Sequence, residues 1–253
     1  MTALLSETEL LIGLACVLLV WAAMIGVDVY RRQKGLKRRT TSPIAQWMRT
    51  MVILWALAAM SVAAWLASGR SLSDFGFRMG DGFGLGLAWG MAVAFIGFQL
   101  YQIWAIRRDE TLREDVRKSV FDSGDYDMIM PRRRKDSWGF YLVSITAGIT
   151  EEVVFRAFLI GIFALVMPIW GAAALALFMF LAGHAYQGLG GILRITPISI
   201  ILTLAFVLSG SLWPAIVLHV AVDILGGVMV WLALPKEGYV DVREAGEPVA
   251  QPA

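Results

Sequence analysis

Apolar residues along this chain run on in long blocks, with polar and charged positions gathered into the gaps between them. Blocks of about 18 or more residues are what an α-helix needs to cross ~30 Å of hydrocarbon. Seven can be marked, at roughly 9–30, 45–68, 83–106, 138–167, 169–188, 192–209 and 212–234. The pattern predicts an all-α fold, a polytopic transmembrane helical bundle of about seven spans. Tryptophans sit near the block edges at Trp47, Trp65, Trp104, Trp138, Trp170, Trp213 and Trp231, where amphipathic rings favour the membrane interface. Pro168 and Pro214 stand where helices open and Pro235 follows the last one, as a residue without a backbone N–H should. The first block lacks a basic start and is followed by a basic cluster, so it reads as a retained anchor and not a signal peptide.

Composition agrees with this picture. Of 253 residues, 58% are hydrophobic and only 17% charged, outside the usual range for a soluble domain. The net charge of +2 matters less than where the charges lie. Segment 31–40 carries six basic residues and segment 107–137 carries nine, whereas the 167–169 and 209–212 turns carry none. Basic loops stay in the cytoplasm, which puts the N-terminus outside and the C-terminus inside. The chain then divides into three N-terminal transmembrane helices (1–106), a charged cytoplasmic loop (107–137), a transmembrane core (138–234) and a polar, disordered tail (235–253). Leu112, Val116 and Val120 recur every four residues in the loop, beside Phe121. That spacing fits an interfacial amphipathic helix and fits a solvated linker equally well. The single cysteine, Cys16, excludes an intrachain disulfide. The lipid bilayer is the expected surrounding, and no nucleic-acid partner is expected.

Six ionisable residues lie deep within the blocks: Glu151, Glu152, Arg156, His184, His219 and Asp223. A charge at bilayer depth costs roughly 2.5–3.5 kcal/mol on insertion scales, and such residues default to function. Glu152 and Arg156 are four apart, on one helix face, and can neutralise each other. Glu151 points about 100° away and has no partner in its own segment. Phe180 and His184 are four apart, as are His219 and Asp223, so each pair shares a face. Taken singly, each residue has a structural explanation, an interhelical hydrogen bond for a histidine or an ion pair for Glu152. Together they supply a base, donors and an orienting acid. Counting 1.5 Å per residue from the cytoplasmic ends, Glu151 lies ~20 Å deep, His219 ~22 Å and Asp223 ~17 Å. His184 lies only ~6 Å deep if its helix stops at Gly188. That mismatch predicts a longer or tilted fifth helix.

Glu151-Glu152-Val-Val-Phe-Arg156, Phe180-Leu-Ala-Gly-His184 and His219-Val-Ala-Val-Asp223 resemble, in order and spacing, the motifs of the CPBP family of intramembrane proteases. That family includes type II CAAX prenyl endopeptidases and bacteriocin-processing and immunity proteins. The resemblance covers about 138–234, and Asp74-Phe75-Gly76-Phe77 is similar to a segment common ahead of this core. It implies hydrolysis of a peptide bond of a membrane-bound peptide or lipoprotein substrate, with multi-pass placement in a bacterial inner membrane. Glu151 and His184 would activate water, His219 and Asp223 would steady the oxyanion, and Glu152, Arg156 and Phe180 would hold the site together. Many members have Asn where this chain has Asp223, and an ionised Asp repels an oxyanion.

Three alternatives remain open from the residues. Glu151, His184 and His219 could form a His₂-carboxylate zinc site with an open position for water, although no His-Glu-x-x-His pair is present; a glutamate mechanism without a cofactor is the expectation. A non-catalytic membrane receptor, immunity factor or scaffold with the same fold is another. A transporter or proton relay is the third, against which stands the lack of a repeated half.

Overall fold

The computed structural model describes residues 2–34, 43–122 and 130–235. The predicted disordered tail and the basic residues Lys37, Arg38 and Arg39 lie outside the described residues. All regular structure among those described is helical. The helices are α1 (Thr2–Gln33), α2 (Pro43–Ala67), α3 (Gly82–Arg108), α4 (Glu110–Arg117), α5 (Ser137–Glu151), α6 (Ile160–Phe163), α7 (Ile169–Gly183), α8 (Gly188–Ser209) and α9 (Leu212–Ala233). A π-helical segment, Glu152–Leu159, joins α5 to α6 without a break.

Five stretches are long and apolar enough to cross a membrane: Thr8–Val27, Ile44–Ala67, Gly82–Arg108, Ala185–Ser209 and Leu212–Ala233. The protein is a multi-pass membrane protein. The two further apolar blocks differ from the expectation for identifiable reasons. The fourth is divided by the π segment into three pieces, though the helical run over 137–163 spans about 40 Å at 1.5 Å per residue. The fifth is a helix of only 15 residues, about 22 Å long.

Consecutive long elements alternate in direction. Gly139 lies against Trp47 and Gly161 against Trp65, so α2 and the α5–α6 run point the same way. Gly148 meets Val220 and Gly227 meets Phe140, so α9 runs back along α5. α3 runs beside α9, with Gly84 on the Leu208 carbonyl and Gln99 Nε2 donating to the Val222 carbonyl at 3.4 Å. The close approaches fall at glycine because a Cβ would collide. One built on Gly148 would stand 2.8 Å from the backbone nitrogen of Val220.

Two edge tryptophans are not interfacial anchors. Trp47 is buried against Phe140 at 6.4 Å, and Trp65 against Phe75 at 5.3 Å. Trp104, Trp138, Trp170, Trp213 and Trp231 remain exposed, as the interfacial expectation requires.

The charged loop is ordered where it is described, because it caps the end of α9. Val116, Val120, Phe121 and Met130 pack on Val230 and Leu234. Arg134 donates to the Leu234 carbonyl at 2.8 Å and stacks over Trp231, and Arg117 reaches the Ala233 carbonyl at 3.4 Å. Cations satisfy the free carbonyls at a helix C-terminus. The apolar side of this element is therefore covered by protein, with Leu112 left exposed. Where it is described, the segment has a packed face and is not a solvated linker.

At the opposite end, the turn before α3 pins the α8–α9 connection. Asp74 accepts from the Ser71 hydroxyl at 2.7 Å, and these bonds hold its carboxyl below the usual carboxylate range. Phe75 is buried and stacks on Phe77. The Gly76 carbonyl accepts from Leu212 N at 2.9 Å, Arg78 Nε donates to the Gly210 carbonyl at 2.9 Å, and Ser211 Oγ to the Arg78 carbonyl at 2.7 Å. Gly76 has φ of +105°, and a Cβ there would lie 2.8 Å from the Phe206 ring. Gly76→Ala should therefore destabilise the protein by about 1–3 kcal/mol from backbone strain alone, read as a lower unfolding midpoint in detergent.

Candidate active site

The site is built where the fourth apolar block changes from α to π geometry. An α-helix holds neighbouring side chains about 100° apart, yet here one imidazole meets two neighbours. His219 Nδ1 donates to Glu152 Oε1 at 2.7 Å, and His219 Nε2 lies 3.9 Å from Glu151 Oε2. The π turn at Glu152–Leu159 is a local over-wide turn of a kind that recurs at functional sites. The same Nε2 is 3.9 Å from Asp223 Oδ2, one turn further along α9. Distances of 3.9 Å are too long for direct hydrogen bonds and suit a single bridging water.

Glu152 is fully buried. Arg156 Nη1 stands 2.9 Å from its Oε1, and Arg156 Nη2 donates to the Ser199 carbonyl on α8 at 3.4 Å. The guanidinium lies 4.4 Å above the ring of Phe180, a cation–π contact. Phe180 also meets Phe155 edge-on at 5.2 Å, His184 at 4.5 Å and His219 at 6.3 Å between ring centroids. An aromatic ring at 180 thus touches Arg156 and both histidines at once.

His184 is placed differently from the expectation. The fifth helix is neither extended nor continued to Arg194; it ends at Gly183, and His184 is its C-terminal cap residue. A short 3₁₀ turn, Ala185–Gln187, leads into α8. Because α7 is only about 22 Å long, its end falls beside Phe180 and not at a loop. His184 Nδ1 lies 2.8 Å from the Phe180 carbonyl. A carbonyl only accepts, so Nδ1 carries the proton and Nε2 presents a lone pair.

The structure brings Glu151, Glu152, Arg156, His219 and Asp223 into one cluster and joins His184 to it through Phe180. The zinc alternative fares less well. Each histidine has its Nδ1 engaged by an oxygen, a pattern that suits metal ligands. Yet among the described residues no three His, Cys, Asp or Glu groups converge as a ligand set.

One part of the site was not anticipated. A cleft of about 20 Å³, room for roughly one water, borders Glu151. Val17 and Trp21 of α1, Leu54 and Leu57 of α2, Val154, Phe155 and Leu159 of the π segment, and Met179 of α7 complete its wall. Trp21 lies inside a block, away from the edges where most tryptophans sit, but so does Trp55, which does not line the cleft, and the sequence gives no signal that singles out this wall.

Paired glutamates and two histidines are thus gathered inside the core of a multi-pass helical protein. Residues 133–225 match the family model described as Type II CAAX prenyl endopeptidase Rce1-like. That stretch is therefore similar to the CPBP family of intramembrane proteases, and this family is one of proteases. No curated protein and no solved structure matches the chain.

Glu151 and Glu152 should respond differently to the same change. Glu152→Gln leaves Arg156 buried without its counter-charge and should cost about 3–5 kcal/mol. Glu151 has only the 3.9 Å approach to His219 and is partly accessible, so Glu151→Gln should stay within about 1 kcal/mol of wild type. Denaturant unfolding in detergent separates the two.

Proposed function

We propose that this protein is an intramembrane endopeptidase that hydrolyses a peptide bond of a membrane-associated or lipidated substrate. The observation that carries the proposal is the approach of Glu151 Oε2 to His219 Nε2 at 3.9 Å, across elements far apart in the chain. Glu151 is the general base. It takes a proton from water as the water oxygen bonds to the scissile carbonyl carbon, and the carbonyl π electrons move onto oxygen. When the intermediate collapses, the C–N bond breaks and Glu151 returns the proton to the leaving amine, leaving an acid and an amine. His184, its Nδ1–H fixed on Phe180, turns the Nε2 lone pair to the water and shares its activation.

His219 steadies the oxyanion as an imidazolium, with Nδ1–H on Glu152 and Nε2–H free to donate. Asp223, 3.9 Å from Nε2, lies near enough to balance the charge of the imidazolium, which gives a carboxylate a use beside an oxyanion without contacting it. Glu152, Arg156 and Phe180 keep the imidazole in position. No metal is needed for these steps, and residues 138–234 are the catalytic core.

The topology belongs to the same proposal. Seven spans, N-terminus outside and C-terminus cytoplasmic, follow if the α5–α6 run and the short α7 each count as one. Support comes from the alternating directions and from Arg107, Arg108, Arg117 and Arg134 lying at the end of the bundle where α3 and α9 finish. Residues 1–106 form a three-helix scaffold, 107–137 a cytoplasmic cap, and the whole sits in a bacterial inner membrane.

A quenched-fluorescence peptide ending in a prenylated Cys-a-a-X sequence, offered to the detergent-solubilised protein, tests the chemistry. Glu151→Gln should lower kcat by about 10²–10⁴-fold, the worth of a positioned base, while chelation of divalent metals leaves kcat unchanged. Full activity in Glu151→Gln, or stoichiometric zinc lost with His184→Ala, overturns the scheme. Membrane proteomics of cells with the wild type or Glu151→Gln should show an uncleaved precursor accumulating with the variant.

A further inference from the structure

α3 ends in two arginines, Arg107 and Arg108, both exposed. The usual task of such cations is to answer the free carbonyls of a helix C-terminus. Here that task is already filled. The Ala105 carbonyl accepts from Asp109 N at 3.1 Å, and Arg113 Nη1, from α4, lies 3.5 Å from the Ile106 carbonyl and 3.1 Å from that of Arg107. The adjoining carboxylates are engaged too. Asp109 accepts from Thr111 N, and Glu110 pairs with Arg113 and Arg117. Among the described residues, no carboxylate lies within ion-pair distance of Arg107 or Arg108. What Arg108 does touch is a ring. Its guanidinium carbon lies 4.2 Å from the centroid of Trp104, one turn back, and Trp104 stacks on Tyr101 at 5.8 Å. Both rings are exposed over half their surface or more. They fall in the last two turns of the membrane-crossing stretch Gly82–Arg108, about 6 and 10 Å short of its end, at the border between acyl chains and headgroups. Two other arginines rest on tryptophans, and each is spent on an oxygen: Arg70 on Ser68 Oγ and Arg134 on the Leu234 carbonyl. Arg49 and Lys135 are exposed without an ion pair but rest on no ring.

We propose that Arg107 and Arg108 hold the phosphate of one anionic phospholipid, whose upper chain lies against Tyr101 and Trp104. The ring keeps Arg108 turned back toward the bilayer and not out into solvent, and a guanidinium lying flat on a ring keeps its N–H donors along its edge. A phosphate takes two such donors at once. The occupant is a lipid and not a soluble anion because the shelf beside the cations is aromatic and faces the bilayer. It is an anionic lipid because a choline or ethanolamine headgroup would bring its own cation against the second arginine, whereas a glycerol headgroup brings none. The inference is independent of the protease proposal.

The test titrates the full chain, in mild detergent, with phosphatidylglycerol or phosphatidylcholine of identical acyl chains, and native mass spectrometry counts the lipid retained. The unaltered chain should hold one phosphatidylglycerol at least about fivefold tighter than phosphatidylcholine. Arg107→Gln and Arg108→Gln should each weaken the phosphatidylglycerol Kd by about fivefold, the worth of one basic residue at an anionic surface, and leave the phosphatidylcholine Kd unchanged. Trp104→Leu, which keeps an apolar surface and removes the ring, should weaken it in the same direction because Arg108 loses its rest. Arg49→Gln and Lys135→Gln, which remove exposed cations elsewhere, should change nothing. All these side chains are exposed, so the unfolding midpoint should hold. Equal Kd for the two lipids on the unaltered chain overturns the site without recourse to any variant. An equal loss with Arg49→Gln or Lys135→Gln overturns it too, as does a loss that tracks a lower unfolding midpoint. Release of the bound lipid by excess glycerol phosphate would mark a site for soluble anions and overturn the assignment to a lipid.

Discussion

A carboxylate sealed inside a membrane-spanning core is unfavourable by several kcal/mol unless other groups replace its water. At Glu152 the replacement comes from two directions. Arg156 answers from the same helical run at 2.9 Å, and His219 answers from α9 at 2.7 Å. The arginine in turn leans on the Ser199 carbonyl and the face of Phe180. Four elements are thereby tied to one buried charge. Such a cluster adds little net stability over a well-packed apolar core, because desolvation consumes most of the Coulomb gain. What it supplies is register. α5 and α9 can slide against each other only by breaking the pair, and Gly148 against Val220 holds the backbones close enough for the imidazole to reach.

With Glu152 occupied, its neighbour is left with a different character. Two adjacent glutamates on a regular helix would face different surroundings by geometry alone. Here the π segment turns both toward one imidazole, and the separation of roles comes from what else each touches. Glu152 has a guanidinium and a short hydrogen bond; Glu151 has a cleft and a gap of 3.9 Å. Environment divides labour between like carboxylates in the same way in many acid–base sites. In the proposed reaction the charged partner fixes one, and the other moves the proton.

Much of this was legible before any coordinates, and the limits are informative. Spacings of four residues put Arg156 with Glu152 and Asp223 with His219, because those contacts depend on a single helix. The gathering of Glu151 with His219 was inferable only as a joint case, since each residue alone has a bland explanation. Hydrophobic length counting failed at α7. It locates apolar residues and not helix ends, and the chain leaves the helix at Gly183 while still apolar. His184 therefore caps a helix and does not lie within one, while its contact with Phe180 is the one that the four-residue spacing implies. The π turn has no compositional mark in Glu-Val-Val-Phe-Arg-Ala-Phe-Leu. Val116, Val120 and Phe121 showed an apolar face without showing that the end of α9 covers it. Trp47 and Trp65 carried the residue type of an interfacial ring and serve as packing against glycines.

The family match ends well short of the cleft's full wall. Residues 133–225 contain every ionisable group of the site, together with Phe180 and the π segment. Val17, Trp21, Leu54 and Leu57, which close the space beside Glu151, come from the first two helices and lie outside that stretch. In the proposed reaction, chemistry and selection therefore fall to different parts of the chain. In that scheme the core places the water and takes its proton, which depends on a few short distances and tolerates little change. The N-terminal helices set the shape of what can lie against Glu151, and apolar walls can be altered residue by residue at modest cost as long as volume is kept. A protein built this way can change its substrate while the buried charge cluster, and the register it enforces, stay as they are.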